Sequence, residues 1–251
     1  MIEITTGLLV ILFFVAMTAG FFDAISGGGG LLTVPALLMA GVPPLMALGT
    51  NKFQGVFGTA TATMTFATKG HLDLRRLLPI AVGCFVASVV GAFTASFIPQ
   101  DALAYVLPAV LIFVALYFAF APDLSKGARQ PRVSPLILSA VALPFVGLYD
   151  GIFGPGAGSF YMLILLGLGG LSVLQATAQT KLFNLASNLG GLIGFALMGA
   201  IAWKIGVTMA LGQIIGSNLG ARMAMKKGAA LIRPLLVTIC ILTALKLLVA
   251  G

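Results

Sequence analysis

The sequence predicts an all-α integral membrane protein built from two homologous repeats, inverted relative to each other. Each repeat has about five segments, including a broken or re-entrant helix after a glycine-rich break. Three observations carry this prediction. The 251-residue chain is 60% hydrophobic and only 8% charged. Its apolar stretches recur at the length of a membrane-spanning helix. One short pattern of glycine, aspartate and lysine also occurs twice.

Soluble domains carry about 25% charged residues. Fourteen Lys and Arg with six Asp and Glu could not cover a core of this size in water, so the solvent is expected to be lipid. The net charge of +8 does not indicate nucleic acid, because the basic residues sit in short loops between apolar stretches. The start, Met1-Ile2-Glu3-Ile4, has no basic n-region, so the first apolar segment is expected to stay in the mature protein. Cys84 and Cys240 lie in apolar stretches at inequivalent places, which predicts small buried side chains and no disulfide.

Apolar stretches cover 5–22, 31–48, 51–68, 77–98, 102–121, 135–149, 158–170, 177–198, 203–224 and 231–249. About twenty residues span the hydrocarbon as a helix, and most stretches qualify. Two do not. The stretch 31–48 is interrupted by Pro35, Gly41, Pro43 and Pro44, and 158–170 is too short to span alone. Each follows a glycine cluster, Gly27–Gly30 or Gly154–Gly158, through which a helix cannot run cleanly.

The duplication is legible in the spacing. Gly20, Asp23, Ile25, Gly27 and Gly29 match Gly147, Asp150, Ile152, Gly154 and Gly156 at an offset of 127. Lys52, Phe66, Gly70, Gly83, Ser88 and Gly91 match Lys181, Phe195, Gly199, Gly212, Ser217 and Gly220 at 129. The boundaries predicted are a first repeat over 1–121, a cytoplasmic linker over 122–134, and a second repeat over 135–251. Three loops hold ten of the fourteen basic residues: Lys69, Arg75 and Arg76; Lys126, Arg129 and Arg132; and Arg222, Lys226, Lys227 and Arg233. All three face the cytoplasm only if each half crosses an odd number of times. The charge count therefore favours five crossings per half, inverted repeats and periplasmic termini.

Charged groups inside the bilayer cost about 2.5–3.5 kcal/mol each on insertion scales and need a reason. Asp23 and Lys52 recur as Asp150 and Lys181. Polar neighbours accompany them: Ser26, Thr50, Asn51 and Gln54 in one half, and Tyr149, Gln179, Thr180, Asn184 and Asn188 in the other. Helical spacing puts Thr59 and Thr63 on the face of Lys52, and Asn184 and Asn188 on that of Lys181. Such stripes are expected to line a cavity between the halves. Helix N-termini at Gly28, Gly29, Gly30 and Gly156 add backbone donors with partial positive charge, so the whole reads as an anion site.

Plainer readings stand beside this one. The lysines can form structural ion pairs with the aspartates, and the aspartates can cap half-helices, pair with a lysine or carry a coupling proton. The glycines can serve close helix packing. No Gly-Lys-Ser/Thr ends either cluster, which excludes a P-loop. His71, beside Asp73, is expected in solvent. Trp203, Tyr105 and Tyr117 read as interfacial anchors.

The string Gly27-Gly28-Gly29-Gly30-Leu31-Leu32-Thr33-Val34-Pro35-Ala36-Leu37-Leu38, with Gly41-Val42-Pro43-Pro44 and Ala47-Leu48-Gly49-Thr50-Asn51, resembles the sulfite exporter TauE/SafE family. Gly154-Pro155-Gly156 and Ala178-Gln179-Thr180-Lys181 are similar to that family's second, degenerate copy. The resemblance covers nearly the whole chain. It implies a bacterial inner-membrane permease for a small anion such as sulfite, a sulfonate or a related organic acid. Pro155 and Ala157 depart from a full glycine run, so the two half-sites are expected to be inequivalent.

The function expected is therefore a proton-coupled secondary transporter with a central site, and a passive channel is the alternative. No cofactor, metal or nucleic acid is expected. The partners are a small anion and lipid, with homo-oligomerisation left open. A lone histidine, unpaired cysteines and the lack of a nucleotide motif argue against an enzyme or an ATP-driven pump.

Overall fold

In a computed structural model of the chain, residues 4–120 and 130–227 are described, and all their regular structure is helical. The stretch at 231–249 and most of the 122–134 linker lie outside the described residues. The helices are α1 (Thr6–Ser26), α2 (Gly30–Met39), α3 (Pro44–Thr68), α4 (Leu74–Ser96), α5 (Gln100–Phe120), α6 (Pro135–Ile152), α7 (Ala157–Gly167), α8 (Val173–Leu197) and α9 (Trp203–Lys227).

Local chemistry sets the ends. Thr5, Asp73 and Ser134 accept hydrogen bonds from the first-turn amides of α1, α4 and α6, and Ser172 with Gln175 forms a capping box on α8. α2 stops where Gly41 takes φ of 78° and the Val42 amide donates to Leu37 O. Pro44 then opens α3. Two details differ from the sequence expectation. Pro35 does not interrupt α2, which runs through it to Met39. The next long helix begins at Pro44 rather than near residue 51, so Lys52 sits more than two turns inside it.

Among the described residues three helices, α1, α4 and α6, are long and apolar enough by composition to cross a membrane. α2 and α7 fall short by length, and α3, α8 and α9 by polarity. α3, α8 and α9 have 25 residues each, about 37 Å of helix, but they carry the polar residues turned inward. Their outer faces and those of the other helices are apolar and exposed. Val82, Val86 and Val90 form such a stripe on α4, and Leu211, Ile215 and Leu219 form one on α9.

Close backbone approaches reveal the directions. On α9, Gly212, Gly216 and Gly220 lie against the backbone of Phe13, Met17 and Phe21 of α1, so those helices run parallel. Gly147 and Gly151 of α6 meet Cys84 and Ser88 of α4, and Gly190 and Gly194 of α8 meet Phe85 and Ala92; α4, α6 and α8 are parallel. Gly58 and Gly206 set α3 parallel to α9. Between α3 and α8 the order reverses: Gly49 meets Phe195, Lys52 meets Gly191 and Gly55 meets Asn188. Thus α1, α3 and α9 run one way, and α4, α6 and α8 the other. Because α1 and α3 are parallel, α2 must carry the chain back between them.

One end of the bundle gathers Ala24, Ile25, Ala62, Phe66, Ala178, Ala221 and Ala224 into a cluster. The ends of α3 and α9 and the starts of α4, α6 and α8 therefore meet there. Lys69, Arg75, Arg76, Arg132, Arg222 and Lys226 share this basic end.

Glycine at these crossings lets backbones touch, which is how helices associate in lipid. A side chain at Gly216 would collide with Met17 O. Gly216→Val should therefore lower the melting temperature in detergent by an amount equivalent to about 1–3 kcal/mol. Gly7→Ala, with no neighbour within 4 Å of the added carbon, should leave it nearly unchanged. Equal melting points for both variants would refute this packing.

Candidate functional site

The two short helices start at the same place. Gly27 and Gly28 have φ of 77° and 92°, Gly154 and Gly156 φ of 89° and 81°. This is left-handed backbone that glycine adopts without cost, and it turns the chain back out of each long helix. The breaks interlock. Gly27 packs on the Gly158–Ser159 backbone, Gly30 lies against Pro155, and the Ser159 hydroxyl donates to Ser26 O at 3.2 Å. The N-termini of α2 and α7, from opposite halves, thus converge on one cavity of about 30 Å³, room for one or two waters. Their free N–H groups and dipoles place partial positive charge there.

Ten of the residues expected at the site line this cavity: Asp23, Gly28, Gly29, Gly30, Asn51, Gln54, Asp150, Gly156, Asn184 and Asn188. The amides form local networks. Asn51 Oδ1 accepts from the Thr33 hydroxyl at 2.6 Å and from Gln54 Nε2 at 2.9 Å, which leaves Asn51 Nδ2 lying toward Gly30 and Gly154. Asn188 Nδ2 donates to Asn184 Oδ1 at 3.3 Å. Gln54 Oε1 is buried with no hydrogen-bond partner.

The four charged residues pair across the halves. Lys52 of α3 forms an ion pair with Asp150 of α6, both essentially buried, and the Ser187 hydroxyl donates to the second Asp150 oxygen at 2.5 Å. Lys181 of α8 donates to the backbone carbonyl of Asp23 on α1 and stands 3.6 Å from its Oδ2. Asp23 Oδ1 accepts from the Gly29 amide at 3.0 Å, so this residue both pairs with a lysine and caps the approach to α2. The two pairs differ in tightness: the Asp150 side chain is 3% exposed and that of Asp23 13%.

Five expected residues do not line the cavity: Lys52 and Lys181 are turned to Asp150 and Asp23, and the other three fall elsewhere. The Thr50 hydroxyl accepts from the Ala202 amide at 2.9 Å and tethers the chain entering α9. Gln179 faces a separate basin at the basic end. Thr180 is buried with no partner for its hydroxyl. Thr59 and Thr63 are buried on the Lys52 helix but do not line the cavity. The cavity also recruits Gly55, Gly154, Ala157, Gly158 and Gln213. Gly154 and Gly158 belong to the recognised cluster, but Gln213 is one amide in a helix without a nearby charge, and no pattern marks it. Cys84 is buried and free. His71 is half-buried against the Phe66 ring rather than fully in solvent. Among the described residues no group of His, Cys, Asp and Glu could hold a metal.

Comparison with known proteins places this geometry in context. The sequence model of the family described as Sulfite exporter TauE/SafE matches residues 12–247. The chain is 47% identical to a probable membrane transporter protein, ORF9, of a Sinorhizobium species, over 96% of this chain and 92% of that protein. It is 45% identical to the probable membrane transporter protein YfcA of Escherichia coli K12, over 96% of this chain and 90% of that protein. A more distant relative, YdhB of Bacillus subtilis, is 26% identical over 86% of this chain and 88% of that protein. No solved structure matches.

The tight pair generates a prediction. Removing one partner strands a buried charge, at a cost of about 3–5 kcal/mol, whereas replacing both with apolar groups is often neutral. Asp150→Asn should sharply reduce the yield and melting temperature of the purified protein, and Lys52→Met combined with Asp150→Leu should restore most of both. A double variant no more stable than the single one would argue against this pairing.

Proposed function

The chain belongs to the sulfite exporter TauE/SafE family, a family of membrane transporters, and from that premise we propose that it is a secondary transporter for a small anion. The substrate would be sulfite, a sulfonate or a related organic acid, carried across the inner membrane through a central site between two inverted repeats. One observation carries the reading: two half-helix N-termini from opposite halves, lined by glycine and carboxamides, face each other across one buried cavity. That is the recurring device by which membrane transporters hold anionic groups at the midplane.

The inverted repeat is supported by the helix directions. α1, α3 and α4 each run opposite to their sequence counterparts α6, α8 and α9, and their contacts exchange on swapping halves. With the basic loops at one end, the positive-inside rule puts that end and the 122–134 linker in the cytoplasm and the termini in the periplasm.

The lysines stay in the site in this reading. Each is neutralised by an aspartate until an anion arrives, so neither is stranded when the site is empty. Asp23 is the coupling group. An anion that takes the Gly29 amide removes a hydrogen bond from the Asp23 carboxylate, and a proton is its natural replacement. Asp150, held by Lys52 and Ser187, is structural. The amides Asn51, Gln54, Asn184 and Asn188 select among oxyanions, while Thr50 tethers the chain that enters α9. A passive anion channel would use the same architecture.

The first test is a thermal-shift screen of the purified protein against sulfite, sulfate, thiosulfate, sulfonates and small carboxylates. A ligand at a hundred times its Kd should add about 2.7 kcal/mol of stability. Lys181→Ala should remove that shift while the protein remains monodisperse; an unchanged shift would remove Lys181 from the site. In proteoliposomes, accumulation against a gradient driven by a pH difference is expected. Flux that only dissipates gradients would mean a channel. Asp23→Asn should abolish the pH-driven component and leave anion exchange; undiminished proton dependence would clear Asp23 of the coupling role.

A further inference from the structure

A second, much larger space opens at the basic end, a basin of about 510 Å³ between the starts of α4 and α6, the α7–α8 connection and α8 itself. Its polar rim contains His71, Asp73, Arg76, Gln175 and Gln179. Two of these are already engaged. The Asp73 carboxylate caps α4 by accepting from the Arg76 amide at 3.2 Å, and Gln175 Oε1 accepts from both the amide and the hydroxyl of Ser172. The Arg76 guanidinium forms no ion pair, and the Gln179 amide no hydrogen bond, among the described residues. The basin thus offers a cation and an amide with unspent donors.

Its floor is apolar. Leu143, Leu165 and Phe183 line it, and Tyr161 packs beneath Phe183 with ring centroids 6.1 Å apart. Tyr161 is fully buried, and its hydroxyl makes no well-formed hydrogen bond among the described residues. Its neighbours include Cys84 and Ser187, and Ser187 is bonded to Asp150. Ala157, of the same apolar cluster, lines the central cavity. Along α8 the change is immediate: Phe183 faces the basin and Asn184 the cavity. At the opposite end α3 and α8 close directly, with Gly49 against Phe195 and Ala200.

We propose that this basin is the entry chamber for the anion on the basic-loop side. Arg76 and Gln179 form an outer relay site for a small oxyanion, and the Phe183–Tyr161 ring pair is the gate to the central site. The proposal rests on the reading of the central cavity as the substrate site. An exposed arginine concentrates anions at the mouth. Rotamer changes of the two rings open the gate, and the Tyr161 hydroxyl, beside Cys84 and Ser187, then gives a passing anion a donor where the path is otherwise apolar.

The test uses the full chain in detergent, with Cys84→Ala and Cys240→Ala as background, and two thiol reagents of similar size, one sulfonate and one quaternary ammonium. Gln179→Cys should react with the anionic reagent faster than with the cationic one, of the order of tenfold after correction for their intrinsic rates. Arg76→Gln should erase that preference. Asn184→Cys should be nearly inert to both and become reactive to the anionic reagent when Phe183→Ala is added. If that variant is not monodisperse, Phe183→Val serves the same purpose. An inert Gln179→Cys, a preference that survives Arg76→Gln, or an Asn184→Cys indifferent to residue 183 would each overturn the proposal. Expected labelling with no anion flux in liposomes would count against the transporter and leave the chamber standing. Flux with unselective labelling would do the reverse.

Discussion

Two buried ion pairs, each joining one half of the chain to the other, constrain everything around them. A lysine or aspartate alone in hydrocarbon is expensive, and either half folded by itself would strand two charges. Joined crosswise, Lys52 to Asp150 and Lys181 to Asp23, the four charges cancel at the interface. The pairing also fixes register. Lys52 reaches Asp150 only if α3 lies antiparallel to α8 with Gly191 beneath its stem. It must also lie close to α6, which depends in turn on the glycine contacts between α6 and α4.

The same constraint explains why the glycine breaks sit where they do. Asp23 and Asp150 stand just before Gly27 and Gly154, so the residues that close the halves together also hold the mouths of the short helices. Asp23 does this directly, by accepting the Gly29 amide. The second half achieves it differently, with the Tyr149 hydroxyl donating to Pro155 O at 2.7 Å. Proline at 155 and alanine at 157, where the first half has glycines, go with a tighter pair and a more buried aspartate. The asymmetry is thus a difference in how firmly each half-helix is held.

Much of this was legible in the sequence because it rests on local rules. Glycine runs break helices, and intramembrane charges need partners. Helical periodicity placed Asn184 and Asn188 on one stripe, and both line the cavity; the same rule on α3 picked Thr59 and Thr63, which do not. What was not legible depended on distance in the chain. Nothing local says that Lys52 pairs with Asp150 rather than Asp23, since both lie the same few turns from a glycine break. Gln213 joins the cavity only because α9 lies parallel to α1 and α3. Thr50 looked like a site residue from its neighbours, yet its hydroxyl is spent on Ala202 N. The start of α3 was misplaced because prolines 43 and 44 read as an interruption, when Pro44 begins the helix.

The crossed pairs also bear on movement. Interactions through side chains on long helices survive small rotations of the α1–α3–α9 bundle against the α4–α6–α8 bundle, whereas the glycine contacts within α1–α9 and α4–α6 do not, because backbone meets backbone there. Rigid units are therefore expected to be α1 with α9 and α4 with α6. The surface that can shift lies between α3 and α8, where lysine stems and carboxamides fill the space. That surface contains the cavity and the convergent helix ends. Of its two ion pairs, the one at Asp23 is already the looser, so a change in ligand or protonation should be felt first on that side.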